Sequence, residues 1–240
     1  MKAFSVLELL VAVSVIGLLA IIGIPAANNA LQASKKAKEL GALKSLIISY
    51  NAYSADNNNV LLKSYDKNGV ARDINGNEIG GEESHEAHRW PWRLAPYFNY
   101  NFYNCSHVND AEIYIKSQGG LTQTYLVSVL PSFGLNINCG GNDYENKSSK
   151  VAINYNQVSK PTKFIAFVSS RSMAVGKRYE GFYYVEYSKL LSSKYDPKSS
   201  PKSTGYVSAR YNEYAIVAFL GGNVQAIRFN DLKDIALWEP

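Results

Sequence analysis

Four of the chain's five histidine and cysteine side chains fall between positions 85 and 107: His85, His88, Cys105 and His107. A tetrahedral zinc site using these four can be drawn. Their spacing matches no structural zinc pattern, so the histidines read instead as surface-loop residues. Further upstream, Asp73, Asn75, Asn77 and Glu78 offer alternating oxygen ligands, as part of a calcium loop does. Glu78 occupies the sixth position, where such a loop needs glycine, and a polar hairpin loop is the competing reading. No glycine-rich phosphate loop follows a strand, and no nucleophile lies in register with a base and an orienting acid. The chain therefore reads as a non-enzyme without a cofactor, with calcium at Asp73, Asn75 and Asn77 the one metal left open.

Charge is distributed unevenly along the 240 residues. The net charge is +5, yet residues 147–210 hold 12 Lys/Arg against 3 Asp/Glu, while residues 51–146 hold 6 against 11. The basic stretch is interleaved with Tyr179, Tyr183, Tyr184 and Tyr187, a pattern that can bind DNA or another anionic ligand. A solvated face is the plainer explanation. Hydrophobic residues make up 46% of the chain and charged residues 19%, which fits a folded protein.

The elements that would position these groups begin with the N-terminus. From Leu9 to Ala27 no residue is charged, and nineteen mostly small or aliphatic residues approach the ~20 needed to cross a bilayer as a helix. An ordinary secretory signal has a basic start, a short apolar core and a small-residue cleavage site after it. Lys2 and the alanines at 26, 27 and 30 would serve, but Glu8 at the head of the apolar run does not fit. A carboxylate there is costly in lipid and marks a function with a partner.

The segment Met1-Lys2-Ala3, then Phe4-Ser5-Val6-Leu7-Glu8-Leu9-Leu10, with Pro25 further on, resembles the processing site of type IV prepilins and pseudopilins. The resemblance implies a leader of residues 1–3 cut between Ala3 and Phe4 by a prepilin peptidase, with N-methylation of Phe4. Ala3 stands where the family usually has glycine. The resemblance further implies that Glu8 pairs with the Phe4 amine of a neighbouring subunit, relieving a carboxylate otherwise stranded in an apolar bundle. The expected function is thus a structural subunit of a type IV pilus or pseudopilus, held in the bacterial inner membrane before assembly and later periplasmic or extracellular. The alternatives are a minor pseudopilin of a type II secretion system and a membrane-tethered DNA- or glycan-binding protein that does not polymerise.

Leu40, Leu43, Ile47 and Tyr50 carry a helical period onward, with Leu46 and Tyr53 beside them. A helix over residues 4–56, about 80 Å at 1.5 Å per residue, would put its first half in lipid to about residue 27 and lay one face of its second half on a globular domain of residues 57–240. Pro25 is expected to interrupt it, with Gly23 weakening it further. Asp56-Asn57-Asn58-Asn59 reads as its stop. Beyond it, strands are expected at 60–65, 111–116, 151–155, 163–168, 182–187, 214–220 and 223–229, with hairpin turns at Asn68-Gly69 and Asn75-Gly76 and an irregular stretch at 80–110. The fold class is α+β, pilin-like: a long helix packed on an antiparallel sheet.

A second block, Trp90-Pro91-Trp92-Arg93-Leu94-Ala95-Pro96-Tyr97, is similar to one found in a large pilin-like family whose C-terminal hallmark is a His, nine residues, then Asp-Gly. Here Tyr211 stands for the His and Gly221 for the Asp, before Gly222-Asn223. The chain thus keeps a glycine hairpin but not those two functional groups. The closing Leu232–Trp238 stretch is also similar. Cys105 and Cys139, in a segment expected outside the cytoplasm, are expected to form a disulfide worth on the order of 3–4 kcal/mol.

Overall fold

The computed structural model describes all residues except 1–4, 81–84, 145–149, 174–179, 188–189 and 191–193. The fold is α+β, with a long N-terminal helix and a five-stranded mixed sheet. Helix α1 runs from Val6 to Asp56 without interruption, carrying Pro25 inside it. The expected break at Pro25 is absent: the missing amide removes one hydrogen bond, which the surrounding turns tolerate. Its end is as read from sequence. Asn58 and Asn59 take left-handed backbone (φ 55° and 63°), and the Asn59 amide donates back to the Ser54 carbonyl at 2.8 Å, closing the last turn.

Two compact units divide the chain, residues 1–38 and 39–240. Within the second, α1 buries Glu39, Ala42, Leu43, Leu46, Ile47, Tyr50 and Ser54, the 3–4 spacing of one helical face. The short helices α2 (His85–His88), α3 (Trp90–Leu94), α4 (Asn109–Lys116) and α5 (Gly120–Val129) follow. The expected irregular stretch 80–110 is thus partly helical. Trp90 is fully buried, its indole donating to the Tyr183 carbonyl at 2.7 Å and its ring edge-on to Phe167.

The strands are β1 (Phe133–Asn136), β2 (Ile165–Ser169), β3 (Tyr184–Val185), β4 (Tyr214–Phe219) and β5 (Val224–Arg228), in the order β3-β1-β2-β4-β5. β1 and β3 are parallel and the other pairs antiparallel, so the sheet is mixed rather than antiparallel. β1 escaped the sequence reading because all four of its residues are buried, leaving no alternation to see. Its Gly134 is obligatory: a Cβ there would lie 2.7 Å from the Tyr184 carbonyl carbon.

Residues 111–116 are helical, not a strand. Ala111 and Ile115 are buried one turn apart while Ile113 is exposed, and Lys116 pairs with Glu112 at 2.7 Å. Residues 60–65 and 151–155 make only isolated bridges. Strand β4 alternates between two cores. Ile216 and Ala218 face the cluster containing Leu43, Leu46, Ile47 and Tyr50 of α1, and Ala215, Val217 and Phe219 face a second cluster closed by Phe229, Leu232 and Trp238. A register shift between Ile165 and Phe167 places both Ala166 and Phe167 in the first core.

Candidate functional site

The first candidate is the start of α1. Between Val6 and Ile24, thirteen large aliphatic side chains are 49–80% exposed among the described residues. A segment of this length and composition is enough to cross a membrane. Its first turn is closed by a reciprocal cap. The Ser5 amide donates to Glu8 Oε2 at 2.9 Å, and the Glu8 amide donates to Ser5 Oγ at 3.2 Å. This is the capping-box pairing, which the Ser-x-x-Glu spacing of the sequence signals. Glu8 thus has a local role in addition to the one the prepilin resemblance implies. Ala3 and Phe4 lie outside the described residues.

The second candidate lies within residues 39–240, where the Arg210-Tyr211 pair meets α1. Glu39 is 1% exposed at the N-terminal start of the buried helix face. Arg210 grips it with two nitrogens, Nε to Oε1 at 2.9 Å and Nη2 to Oε2 at 3.1 Å. Tyr211 donates to the same Oε1 at 2.7 Å, and Asn109 Nδ2 at 3.0 Å. Arg210 Nη1 reaches Glu180, which also accepts from Ser208 at 2.6 Å, and the guanidinium donates further to the Ser132 and Ser170 carbonyls. Burial opposes the charge on Arg210, but Glu39 and Glu180 override it and hold the guanidinium well above the usual arginine range. Burial, and then the Glu39 charge, push the Tyr211 phenol well above the usual tyrosine range. Tyr211 therefore acts as a fixed donor to a buried carboxylate. Glu39 and Glu180 were not singled out from sequence, although a lone acid at the head of the 39–43–46–50 stripe was a usable signal.

The neighbouring hairpin also touches the helix. Lys44 Nζ donates to the Gly222 carbonyl at 2.7 Å and Asn51 Nδ2 to the Leu220 carbonyl at 2.9 Å. Gly222 takes the positive φ (+91°) that the turn requires. Gly221 is needed for a different reason: a Cβ there would meet the Thr162 amide nitrogen at 3.0 Å and its Cγ2 at 2.9 Å. The aspartate of the pilin-like hallmark would therefore collide at this position.

The remaining expected sites are dispersed. His85 and His88 both meet the Tyr65 hydroxyl, at 2.7 and 3.1 Å. His107 is not a surface residue. It is fully buried between Ser106 Oγ and the Val127 carbonyl, and burial lowers it to about 4. Among the described residues no three His, Cys, Asp or Glu side chains gather to hold a metal. Asp73 is turned on its own loop, accepting from the Asn75 and Asn77 amides and from Asn77 Nδ2, while Arg72 takes Glu78 at 2.6 Å. The calcium candidates thus form a hairpin closed on itself.

Cys105 and Cys139 are buried free thiols in place of the expected disulfide. Cys139 Sγ contacts Tyr50 Oη at 3.3 Å, and burial pushes both thiols up to about 12. Among its described residues, the basic stretch 147–210 shows no tyrosine-lined face. Tyr183 and Tyr184 are buried, Tyr187 donates to the Lys233 carbonyl, and Arg171 and Arg210 are held by interior oxygens. Tyr179 lies outside the described residues.

No family model, characterised protein or solved structure matches the chain. Its own geometry and sequence carry the functional argument.

Proposed function

We propose that this chain is a pilin-like structural subunit, held in a membrane by the start of α1 and polymerised into a filament through the same segment. The observation that carries the reading is the uncovered aliphatic surface from Val6 to Ile24. At roughly 1.5 kcal/mol for each buried side chain, its thirteen residues place on the order of 20 kcal/mol at stake, far more than a folded chain can leave in water. Lipid satisfies that demand before assembly, and a bundle of like helices satisfies it afterwards.

Glu8 supports the filament rather than a plain anchor. An acid at the head of a span caps the helix of a plain anchor as well, but a carboxylate that closes its own helix can in addition exchange the Ser5 amide for the amine of a neighbouring Phe4. The Glu39–Arg210 grip fastens residues 39–56 of α1 to the rest of their own unit, giving the domain a helix it does not release.

Intact-mass and N-terminal analysis of protein taken from its native membrane or from sheared filaments tests the proposal. The expected chain begins at N-methylated Phe4. A chain that keeps Met1 would make it a plain anchored protein, and one beginning beyond Ala27 a secreted one; either overturns the filament reading.

A further inference from the structure

A buried arginine opens onto a small aromatic cavity. Arg89 is 7% exposed, set in extended backbone (φ −85°, ψ 148°) immediately before α3. Its guanidinium lies over the rings of Tyr125 and Tyr183, at 5.0 and 5.2 Å from their centroids. Nη1 donates to Ser128 Oγ at 2.8 Å, while the buried Nε has no acceptor. Among the described residues no carboxylate pairs with Arg89. Ring quadrupoles offset only part of the cost of burying a guanidinium, and a lost charge partner is usually expensive. This arginine contrasts with Arg210, which the same fold supplies with two carboxylates.

The cavity that Arg89 lines holds about 230 Å³, with Tyr65, His85, Tyr125, Tyr144 and Tyr183 among its walls. That is below the usual span for drug-sized ligands and suits one small ring. Tyr144 is 71% exposed, so one wall stands open to solvent. The Tyr65 hydroxyl lies between the two histidine Nδ1 atoms, at 2.7 and 3.1 Å, and its single proton can serve only one of them. This pairing leaves the His85 and His88 rings fixed in place. The chemistry is a planar cation for an oxyanion, aromatic faces for a ring to stack on, and phenol and imidazole groups for hydroxyls.

We propose that this cavity is a binding site for the oxyanion group, carboxylate or phosphate, of a monosaccharide-sized ligand, with Arg89 as its counter-ion. The site does not depend on the filament reading, because it lies wholly within residues 39–240.

The test is titration of the full chain in detergent micelles with glucuronate, glucose 6-phosphate and neutral glucose, followed by isothermal calorimetry and by the ligand-dependent rise in Tm. Binding of either anionic sugar, at least tenfold tighter than glucose, supports the site, and which one binds identifies the oxyanion. Arg89→Gln is expected to weaken that binding at least tenfold. Because Arg89 is buried and its loss can unfold the chain, Tyr144→Ala at the exposed wall is measured beside it and is expected to weaken binding severalfold with Tm unchanged. Absence of binding by both anionic sugars overturns the proposal. So does glucose binding equal to theirs, or undiminished binding by a folded Arg89→Gln chain.

Discussion

Replacing Arg210 by methionine removes the cation from between Glu39 and Glu180 while keeping an unbranched side chain of comparable reach. Glu39 would retain the Tyr211 and Asn109 donors, at 2.7 and 3.0 Å, and the long contact from Ser169 Oγ at 3.4 Å. Its charge would then be buried with no cation. Removing one partner of a buried ion pair costs about 3–5 kcal/mol, against about 0–1 for an exposed pair. The Arg210 side chain is 14% exposed and that of Glu39 2%, so the higher range applies. In a unit of roughly 200 residues each kcal/mol lowers Tm by about 2–4 °C, giving an expected fall of about 6–20 °C.

Thermal unfolding followed by tryptophan fluorescence of the full chain in detergent reads this directly, since Trp90 and Trp238 are both fully buried in residues 39–240. The cycle is completed with Glu39→Gln and the double variant. With the cation gone, neutralising Glu39 is expected to restore more than 1 kcal/mol, so the double variant is more stable than Arg210→Met alone. A loss under 1 kcal/mol for Arg210→Met, or a coupling of zero, would refute the claim that this network fixes α1 to the sheet.

Three further outcomes follow from the same geometry. Gly221→Asp, which would supply the hallmark acid, is expected to destabilise by about 1–3 kcal/mol through the Thr162 contact, measured by thermal unfolding; an unchanged Tm would show that the 161–162 turn yields freely. Both thiols are expected to resist alkylation at pH 8 until the chain unfolds, because burial holds them up at about 12, and rapid labelling of the native chain would contradict their burial. Because these thiols ionise more easily in the unfolded chain, their contribution is complete below about pH 8.5 and declines as pH rises toward 12. His107 works in the opposite direction: held at about 4 when folded and near 6.5 when unfolded, its neutral form contributes up to about 3 kcal/mol that is lost as pH falls from 6.5 to 4. His107→Gln is expected to flatten stability across that window, and an unaltered slope would remove His107 as its cause.

The sequence by itself determined the elements whose signals are local. The apolar run and the 3–4 spacing of Leu43, Ile47 and Tyr50 specify α1, and the asparagines after Asp56 end it by adopting left-handed backbone. The β4–β5 hairpin was equally legible, because Ala215–Leu220 is apolar on both sides and a Gly-Gly turn follows. Only tertiary structure decided the rest. The Ala111–Lys116 alternation satisfies a strand or a helix, and the burial of Ala111 and Ile115 on one face settled it. β1 has no period because both its faces are covered, and its parallel pairing with β3 depends on a close approach at Gly134 that no propensity encodes. The charge network joins Glu39, Asn109, Ser169, Glu180 and Arg210, whose separations in the chain reach 171 residues. A carboxylate in an apolar stripe announces that it needs a cation, but which arginine answers is set by how the helix and sheet pack. The same packing surrounds one arginine with acids and leaves another among tyrosines, a difference that residue types alone cannot express.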